Sequence, residues 1–325
     1  MGRTVLITGV GGMVGSHMTE YFFYQGIAVV GTYYKPTTDL SDIHEMACFY
    51  ECDVRYFLNI YNLINQFRPA QIYHLAAQSY PSVSWDKPQE TFEVNVTGTI
   101  NVFEAVKKIR ERDPGYDPVI VVACSSAEYG ASLENAIEPV TEETPLLPLH
   151  PYGVSKVGQD LLAFQYYRNF QIRSIRARIF NTTGPRKTKD VCADFVQRIV
   201  MLEKQNTISP KLKVGNLETK RAITDVRDLV TALTLLGANG VPGEVYNISG
   251  KNVYKISEIV ELLQKYTTLK NLQTEVDPVL LRPTDEKIIY GDSTKLIHDT
   301  GWSQSYTLEE TLTDMLKYER NRQRV

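Results

Sequence analysis

The stretch "TVLITGVGGMVGSH", residues 4 to 17, constrains this chain more than any other. An apolar run stops at a glycine turn, and residues with helical periodicity follow at once. A short apolar run without polar alternation suits a strand covered on both faces, the kind found in parallel sheets. Parallel neighbours cannot be joined by a tight hairpin, so the chain has to cross over, usually through a helix. The first half repeats this pattern in "MVGSHMTEYFFYQ", "IAVVGTYY", "CFYECDV", "FLNIYNLINQF", "QIYHLAA", "FEVNVTGTINVFEAVKKIRE" and "PVIVVACSS". A helix from Pro151 and the strand "RSIRARIFN" complete it. The alternation predicts an α/β fold with a doubly wound parallel sheet and helices on both faces.

After residue 181 the elements shorten: "CADFVQRIVMLEK" and "ISEIVELLQKY" read as helices, "LKVGN" and "EVYNIS" as strands, and "DVRDLVTALTLLG" and "TLEETLTDMLKYER" as helices. We read residues 1–181 as a Rossmann NAD(P)-binding domain, joined by returning elements near 225–249. Residues 182–325 read as a smaller mixed α/β substrate lobe.

Gly9, Gly12 and Gly15 recur every third residue between the first strand and the first helix. Glycines at such a turn let the backbone approach a pyrophosphate, and the helix N-terminus, opened by Met13 and Val14, points free N–H groups at the anion. The expected ligand is therefore a dinucleotide. Enzymes that prefer NAD place an acid at the end of the second strand to hold the ribose 2′-hydroxyl. Here Tyr33 occupies that place and Lys35 lies close by, which favours the 2′-phosphate of NADP, with NAD as the alternative.

Mixed charge excludes other partners. With 35 basic and 38 acidic residues and a net charge of −3, no cationic face is offered to nucleic acid and no basic tail to a membrane. No segment reaches the roughly 18 apolar residues that span a bilayer, and "MGRTVLITGV" enters a strand directly, so the expected location is cytoplasmic. Cys48, Cys52, Cys124 and Cys192 read as reduced thiols. His44, Cys48 and Cys52 fall four apart, but "MACFYECDV" reads as a strand whose side chains alternate faces, so no metal site is expected there.

The chemistry concentrates at "SSAEYG", residues 125 to 130, and "HPYGVSKVG", residues 150 to 158. Ser125 ends a strand at the carboxyl edge of the sheet, where ligands of such folds bind. Pro151 suits the first turn of a helix, and Tyr152 and Lys156 lie one turn apart on one face of it. A tyrosine titrates near pH 10 in water, so as a base it needs a nearby cation, and Lys156 is placed to supply one.

These features, with "HLAA" at 74 to 77, "NVTGT" at 95 to 99, "IFNTTGP" and "LRPTDEKIIYGDSTKLIHDTGW", resemble the extended short-chain dehydrogenase/reductases along the whole chain. Within them the chain is most similar to the GDP-mannose 4,6-dehydratases and the sister GDP-6-deoxy-4-ketohexose reductases. The resemblance implies that Tyr152 is the acid/base, that Lys156 lowers its pKa and holds the nicotinamide ribose, and that Ser125 binds the reacting oxygen. It implies that Asp53 and Val54 flank the adenine and that Leu75, Ala76, Ala77 and Gln78 line the cofactor. Ser84, Asn181, Val214, Asn216, Arg221 and Arg282 match substrate positions. It also implies a homodimer built on two long helices, "FEVNVTGTINVFEAVKKIRE" and "VSKVGQDLLAFQYYRNF", which carry apolar residues over more of their circumference than one sheet contact needs.

Two departures matter. The dehydratases carry a carboxylate two residues after the catalytic serine or threonine, and here that position is Ala127; Glu128, one residue late, is expected to face the opposite side of a strand-like exit. The loop "YYKPTTDLSD" also lacks the arginines that the dehydratases use for cofactor and tetramer contacts. The expected function is therefore NAD(P)-dependent reduction of a GDP-linked 4-keto-6-deoxyhexose. The alternatives are a GDP-mannose 4,6-dehydratase, a nucleotide-sugar 4-epimerase and a cofactor-sensing binding protein.

Overall fold

The computed structural model describes residues 4–134, 136–205, 209–281 and 287–323. The first half supplies strands β1 (Thr4–Thr8), β2 (Ala28–Tyr33), β3 (Cys48–Glu51), β4 (Gln71–His74), β5 (Val119–Ser125) and β6 (Ser174–Ile179). Between them run helices α1 (Met13–Tyr24), α2 (Phe57–Phe67), α3 (Pro81–Asp86), α4 (Pro88–Phe92), α5 (Gly98–Arg112) and α6 (Pro151–Phe170). The second half adds strands β7 (Thr182–Thr183), β8 (Lys211–Val214), β9 (Lys220–Ala222), β10 (Thr224–Asp225), β11 (Val245–Ile248), β12 (Val253–Lys255), β13 (Gln273–Val276) and β14 (Ile288–Ile289). Its helices are α7 (Val191–Lys204), α8 (Val226–Asn239), α9 (Ile256–Tyr266), α10 (Thr294–Thr300) and α11 (Leu308–Arg322).

One seven-stranded sheet, in the order β11-β6-β5-β4-β1-β2-β3, holds the fold together, and every neighbouring pair in it is parallel. It is the doubly wound Rossmann sheet that the alternation predicts. On one face Met18 and Phe22 of α1 pack with Leu229, Leu233 and Leu236 of α8 over Val5, Ile7 and Tyr73. On the other, Ile60 and Ile64 of α2 and Val102, Phe103 and Ile109 of α5 pack over Leu6, Ile72, Ile120 and Val122. Each fully buried aliphatic side chain contributes about 1.5–3 kcal/mol, so the two layers clamp the strands and fix where their carboxyl ends lie.

The chain returns to this sheet late. After leaving β6 it builds a separate core in which Phe195 and Ile199 of α7, Ile259 and Leu263 of α9, and Leu312 and Leu316 of α11 meet Leu212 and Val214 of β8. In the middle of that excursion α8 docks against α1, and β11 pairs with β6 from Val245↔Arg176 to Ile248↔Ile179. Outside the main sheet, β9 runs antiparallel to β12 and parallel to β14, and β8 runs parallel to β13.

Two elements differ from expectation. The single helix expected over 92–111 starts earlier, at Pro88, and is interrupted by one π-helical turn, Glu93–Thr97. Such a turn inserts an extra residue and redirects the side chains within it, often at functional sites. The exit of β5 is not strand-like either: Ser126–Glu128 forms a tight 3₁₀ turn. The stretch bearing Cys48 is a strand as expected, with Cys48 exposed and Cys52 buried, and burial pushes the Cys52 thiol up to about 11. Among the described residues no helix is long and apolar enough to cross a membrane.

Candidate active site

The carboxyl ends of β1, β4, β5 and β6 open onto one crevice. Gly9 adopts φ +82, and a side chain there would meet the Ala76 backbone nitrogen at 2.9 Å. At Gly15 a Cβ would stand 2.3 Å from the Gly9 carbonyl oxygen and 2.7 Å from the Val10 Cα, so only glycine lets α1 close on the turn. Gly12 caps α1 with no side-chain hydrogen bond, and no acid sits in the first turn beside Met13 and Val14. The helix thus presents its N–H groups and its positive dipole end to the crevice, as an anion requires.

The rim of this cradle also fits a dinucleotide. Thr8 Oγ1 accepts from the Leu75 and Ala76 N–H groups, each at 3.1 Å, and so fixes the strip from Leu75 to Gln78, which includes Ala77. The π-helical turn aims Asn95 at the same strip: its Oδ1 accepts from Gln78 N–H at 2.8 Å, and its Nδ2 donates to the Gln78 carbonyl at 3.1 Å and to Ser155 Oγ at 2.9 Å. Asp53 is held by Arg55, whose guanidinium lies 2.6 Å away, and beside it Val54 is buried with its carbonyl accepting from Asn101. Tyr33 ends β2; Lys35, exposed and in a left-handed conformation at φ +48, lies 5.1 Å from the Tyr34 ring, with the Arg55 guanidinium 5.8 Å from it on the same residue. No carboxylate replaces Tyr33 at the strand end.

At the floor of the crevice stand Ser125, Tyr152 and Lys156. His150 caps α6 by accepting from Gly153 N–H at 3.0 Å, and Pro151 fills the first position. A Cβ on Gly153 would come within 2.6 Å of the Ala127 carbonyl oxygen, so glycine permits the first turn of α6 to abut the Ser126–Glu128 turn. That close approach brings Tyr152 to Ser125. Burial pushes the Tyr152 phenol up to about 12, and its hydrogen bond with Ser125 opposes the shift. Lys156 donates to the Ala123 carbonyl at 2.8 Å and lies 5.7 Å from the Tyr152 ring centre. Burial lowers its ammonium to about 8, against the charges of Cys124 and Glu128. At neutral pH the tyrosine is thus a protonated acid beside an ammonium group.

Ala127 is partly exposed beside this centre, and Glu128 is fully buried away from it. Glu128 does turn to the far side, but through the 3₁₀ turn and not through strand alternation: its Oε1 accepts from Ser125 N–H at 2.8 Å, closing a capping box. Its other oxygen lies 3.4 Å from Nε of Arg178, which also binds Asp160 at 2.9 Å.

The expected substrate positions fall on separate elements. Asn181 follows β6, and its Nδ2 is buried with no hydrogen-bond partner among the described residues. Val214 ends β8 and is buried; Asn216, in the next turn, is exposed and accepts from Glu218 N–H at 2.9 Å. Arg221 lies on β9, where its Nη1 donates to the Lys220 carbonyl. Ser84 is buried within α3 with its hydroxyl donating to the Pro81 carbonyl at 2.7 Å. Arg282 lies outside the described residues.

The model of the GDP-mannose 4,6 dehydratase family matches residues 6–315. The chain belongs to this family. Among curated relatives, the GDP-6-deoxy-D-mannose reductase of Pseudomonas aeruginosa is 28% identical over 320 residues, covering 97% of each chain. The Drosophila melanogaster GDP-mannose 4,6 dehydratase is 25% identical, covering 97% of this chain and 85% of its own. Of solved structures, that of RMD from Pseudomonas aeruginosa complexed with NADPH superposes with a TM-score of 0.83 at 25% identity, over 98% of this chain and 99% of that one. A Thermotoga maritima UDP-glucose 4-epimerase, 24% identical over 99% and 100% of the two chains, shares the fold with a TM-score of 0.86.

Sequence reasoning missed the residues behind this family's crevice. His74 bridges Thr8 Oγ1 at 2.9 Å and Thr99 Oγ1 at 3.0 Å, and Gln159 donates to the same Thr99 at 2.7 Å. Burial, aided by Lys156, lowers the His74 imidazole to about 3, so it is neutral. The signal was present in "HLAA" and "NVTGT", where a histidine and threonines interrupt apolar runs. The pairing of Glu128 with Arg178 has no local sequence signal, because 50 residues separate them.

Proposed function

We propose that this chain reduces a GDP-linked 4-keto-6-deoxyhexose at C4, using NADPH. The observation that carries the reading is Ala127. Elimination of water across C5 and C6 needs a group to take the C5 proton and protonate the departing hydroxyl, and a methyl group does neither. Glu128 cannot substitute, since it is fully buried and its Oε1 is turned back to accept from Ser125 N–H.

Reduction needs only a positioned carbonyl, a hydride donor and a proton source. The reduced nicotinamide, when bound, supplies the hydride. Ser125 positions the sugar oxygen, Tyr152 gives it a proton, and Lys156 orients the ribose beside them. Burial raises the Tyr152 phenol, so at neutral pH it carries the proton that the reduced oxygen must receive. The Gly9–Gly15 turn and α1 would hold the pyrophosphate, Asp53 and Val54 the adenine, and Leu75 to Gln78 the rest of the dinucleotide. Lys35, with no carboxylate at Tyr33, favours the 2′-phosphate. The reductase from Pseudomonas aeruginosa and the RMD structure with NADPH support the same choice.

In this reading residues 1–181 with the returning 225–249 form the dinucleotide half and the remainder of 182–325 forms the substrate lobe; Asn181 at the end of the first half, with Arg221 and Arg282 of the lobe, faces the nucleotide diphosphate, and Ser84, Val214 and Asn216 are further substrate positions. The functional unit is a homodimer. Val154, Leu161 and Phe164 leave an exposed apolar face on α6, continued by Phe92 and Trp85, and a second copy would bury it. The free thiols suit the reducing cytoplasm.

The test is direct. With GDP-mannose and oxidised cofactor no 4-keto-6-deoxy product forms; with NADPH and GDP-4-keto-6-deoxymannose the nicotinamide absorbance falls and a deoxyhexose appears. Conversion of GDP-mannose to the keto sugar at an ordinary enzymatic rate would overturn the assignment.

A further inference from the structure

We propose that residues 184–190 form a strap across the dinucleotide crevice and that Arg186 is its latch, which has to release before the dinucleotide enters or leaves. This rests on the dinucleotide reading of the Gly9–Gly15 turn and concerns a step that precedes any chemistry.

The lobe fixes the strap only at its ends. Upstream, Thr182–Thr183 of β7 pairs with β10; downstream, Asp190 caps α7 by accepting from Ala193 N–H at 2.7 Å. Between these points Arg186, at φ +68, and Lys189, at φ +56, are both left-handed. A residue other than glycine keeps that conformation only where surrounding contacts impose it. The lobe beneath does not supply them: a cavity lies between the strap and Gln197 of α7, with Met315 and Tyr318 of α11 in its wall and Thr37 and Thr38 at its side. The strap is therefore held from across the crevice.

Contacts on both flanks of the cradle hold it. On the α1 flank, Arg186 Nη1 and Nη2 donate to the two Glu20 oxygens at 2.9 and 2.7 Å, and its Nε donates to Asp42 at 3.3 Å. Glu20 belongs to the helix whose N-terminus faces the crevice. Asp42 ends the loop after β2, in which the Thr37 and Thr38 N–H groups donate to the Gly11 carbonyl at 2.8 and 3.0 Å. On the β4 flank, Tyr80 and Thr188 share a hydrogen bond of 2.9 Å between their hydroxyls, and the Lys189 ammonium stands 4.7 Å from the Tyr80 ring centre. Gln78 fixes Tyr80 in turn, accepting from its N–H at 2.6 Å and donating to its carbonyl at 3.1 Å. A dinucleotide held by the glycine turn and by the strip from Leu75 to Gln78 lies between these flanks, so a strap joining them bars its path. The latch is strong enough to matter, because the pair to Glu20 is bidentate and the Arg186 side chain is only 10% exposed, whereas an open surface pair contributes little. The left-handed backbone at the same residue opposes it, which narrows the gap between latched and open states and makes the strap a two-state element.

Stopped-flow nicotinamide fluorescence, with NADPH and no sugar, reads entry and release directly. In the parent the observed binding rate should level off with rising NADPH at the rate of strap opening. Arg186→Met keeps the length of the side chain and removes all its donors; the plateau and the release rate should both rise about tenfold, the effect of one lost charge-assisted hydrogen bond. Glu20→Gln combined with Asp42→Asn makes the same test from the carboxylate side if the methionine variant shows no cooperative melt. Tyr80→Phe, which keeps the ring beside Lys189, should raise the same two rates by less. A side chain that only adds affinity would speed release and leave entry unchanged, and one that only supports the fold would lower the Tm and leave both rates unchanged; either result overturns the proposal. A parent whose binding rate climbs in proportion to NADPH without a plateau overturns it too. A parent that binds no NADPH overturns the dinucleotide reading and the strap with it, whereas bound NADPH with unaltered rates in the variants overturns the strap alone.

Discussion

Adding a single methyl group at Gly12 or at Gly15 should separate the fold from its ligand. At Gly15 the new carbon would meet the Gly9 carbonyl oxygen at 2.3 Å, the Val10 Cα at 2.7 Å and the Gly9 carbonyl carbon at 2.9 Å. All three are backbone atoms of the turn and none can rotate aside, so α1 must shift away from β1. Overpacking of this kind costs about 3 kcal/mol at the upper end of its usual range, against about 1 kcal/mol gained by replacing glycine inside a helix. The net loss of about 2 kcal/mol corresponds to a Tm lower by about 3 °C in a chain of this size. Gly12 differs. Its φ of −102 and ψ of 168 suit alanine, and the nearest atom to an added Cβ is the Gly9 oxygen at 3.5 Å. Gly12→Ala should change stability by less than about 1 kcal/mol. It should nonetheless weaken dinucleotide binding about 10- to 100-fold, because the methyl stands over the helix N-terminus and blocks charge-assisted hydrogen bonds worth about 1.5–3 kcal/mol each. Thermal unfolding and equilibrium binding by nicotinamide fluorescence read the two effects separately. A Gly12→Ala variant that melts as early as Gly15→Ala, or that binds NADPH like the parent, would refute the placement of the pyrophosphate.

The buried imidazole of His74, lowered to about 3, ties stability to pH. Below about pH 6.5 the unfolded chain takes up a proton that the folded chain refuses, so stability should fall as the pH drops from there toward 3, and His74→Gln should flatten that slope in chemical denaturation; parallel slopes would contradict it. Light scattering at micromolar concentration should return a dimer, and Leu161→Glu with Phe164→Glu should return a monomer; a parent that is monomeric or tetrameric would rule out the α6 face as its sole interface.

What could be read in the sequence followed from how local each signal is. The strand and helix alternation and the glycine turn depend on neighbours within a few residues, and the parallel sheet and the α1 cradle came out as expected. Tyr152 and Lys156 are one helical turn apart, so their shared face was legible, and Ser125 was legible because a strand must end where its apolar run does. The π-helical turn was not, since Glu93–Thr97 has ordinary helical composition and only the demand to reach Gln78 and Ser155 reshapes it. The orientation of Glu128 was anticipated for the wrong cause: a capping hydrogen bond to Ser125 and the distant Arg178 turn it, and neither leaves a periodic trace. The depressed Lys156 likewise depends on depth beneath the surface, which no spacing encodes.

The place of β11 at the outer edge of the sheet bears on how the molecule comes into being. Until Val245–Ile248 has been synthesised, β6 presents a bare row of backbone groups, and until Leu229 to Leu236 have followed α7 out of the ribosome, one face of β1 and β4 has only the α1 part of its cover. The nucleotide-binding half therefore cannot mature as an autonomous early unit during translation. Its closure waits for contacts of long sequence separation, which fold slowly and leave a sticky edge in the interim. A nascent chain stalled before residue 245 is thus the stage at which this protein most needs a chaperone.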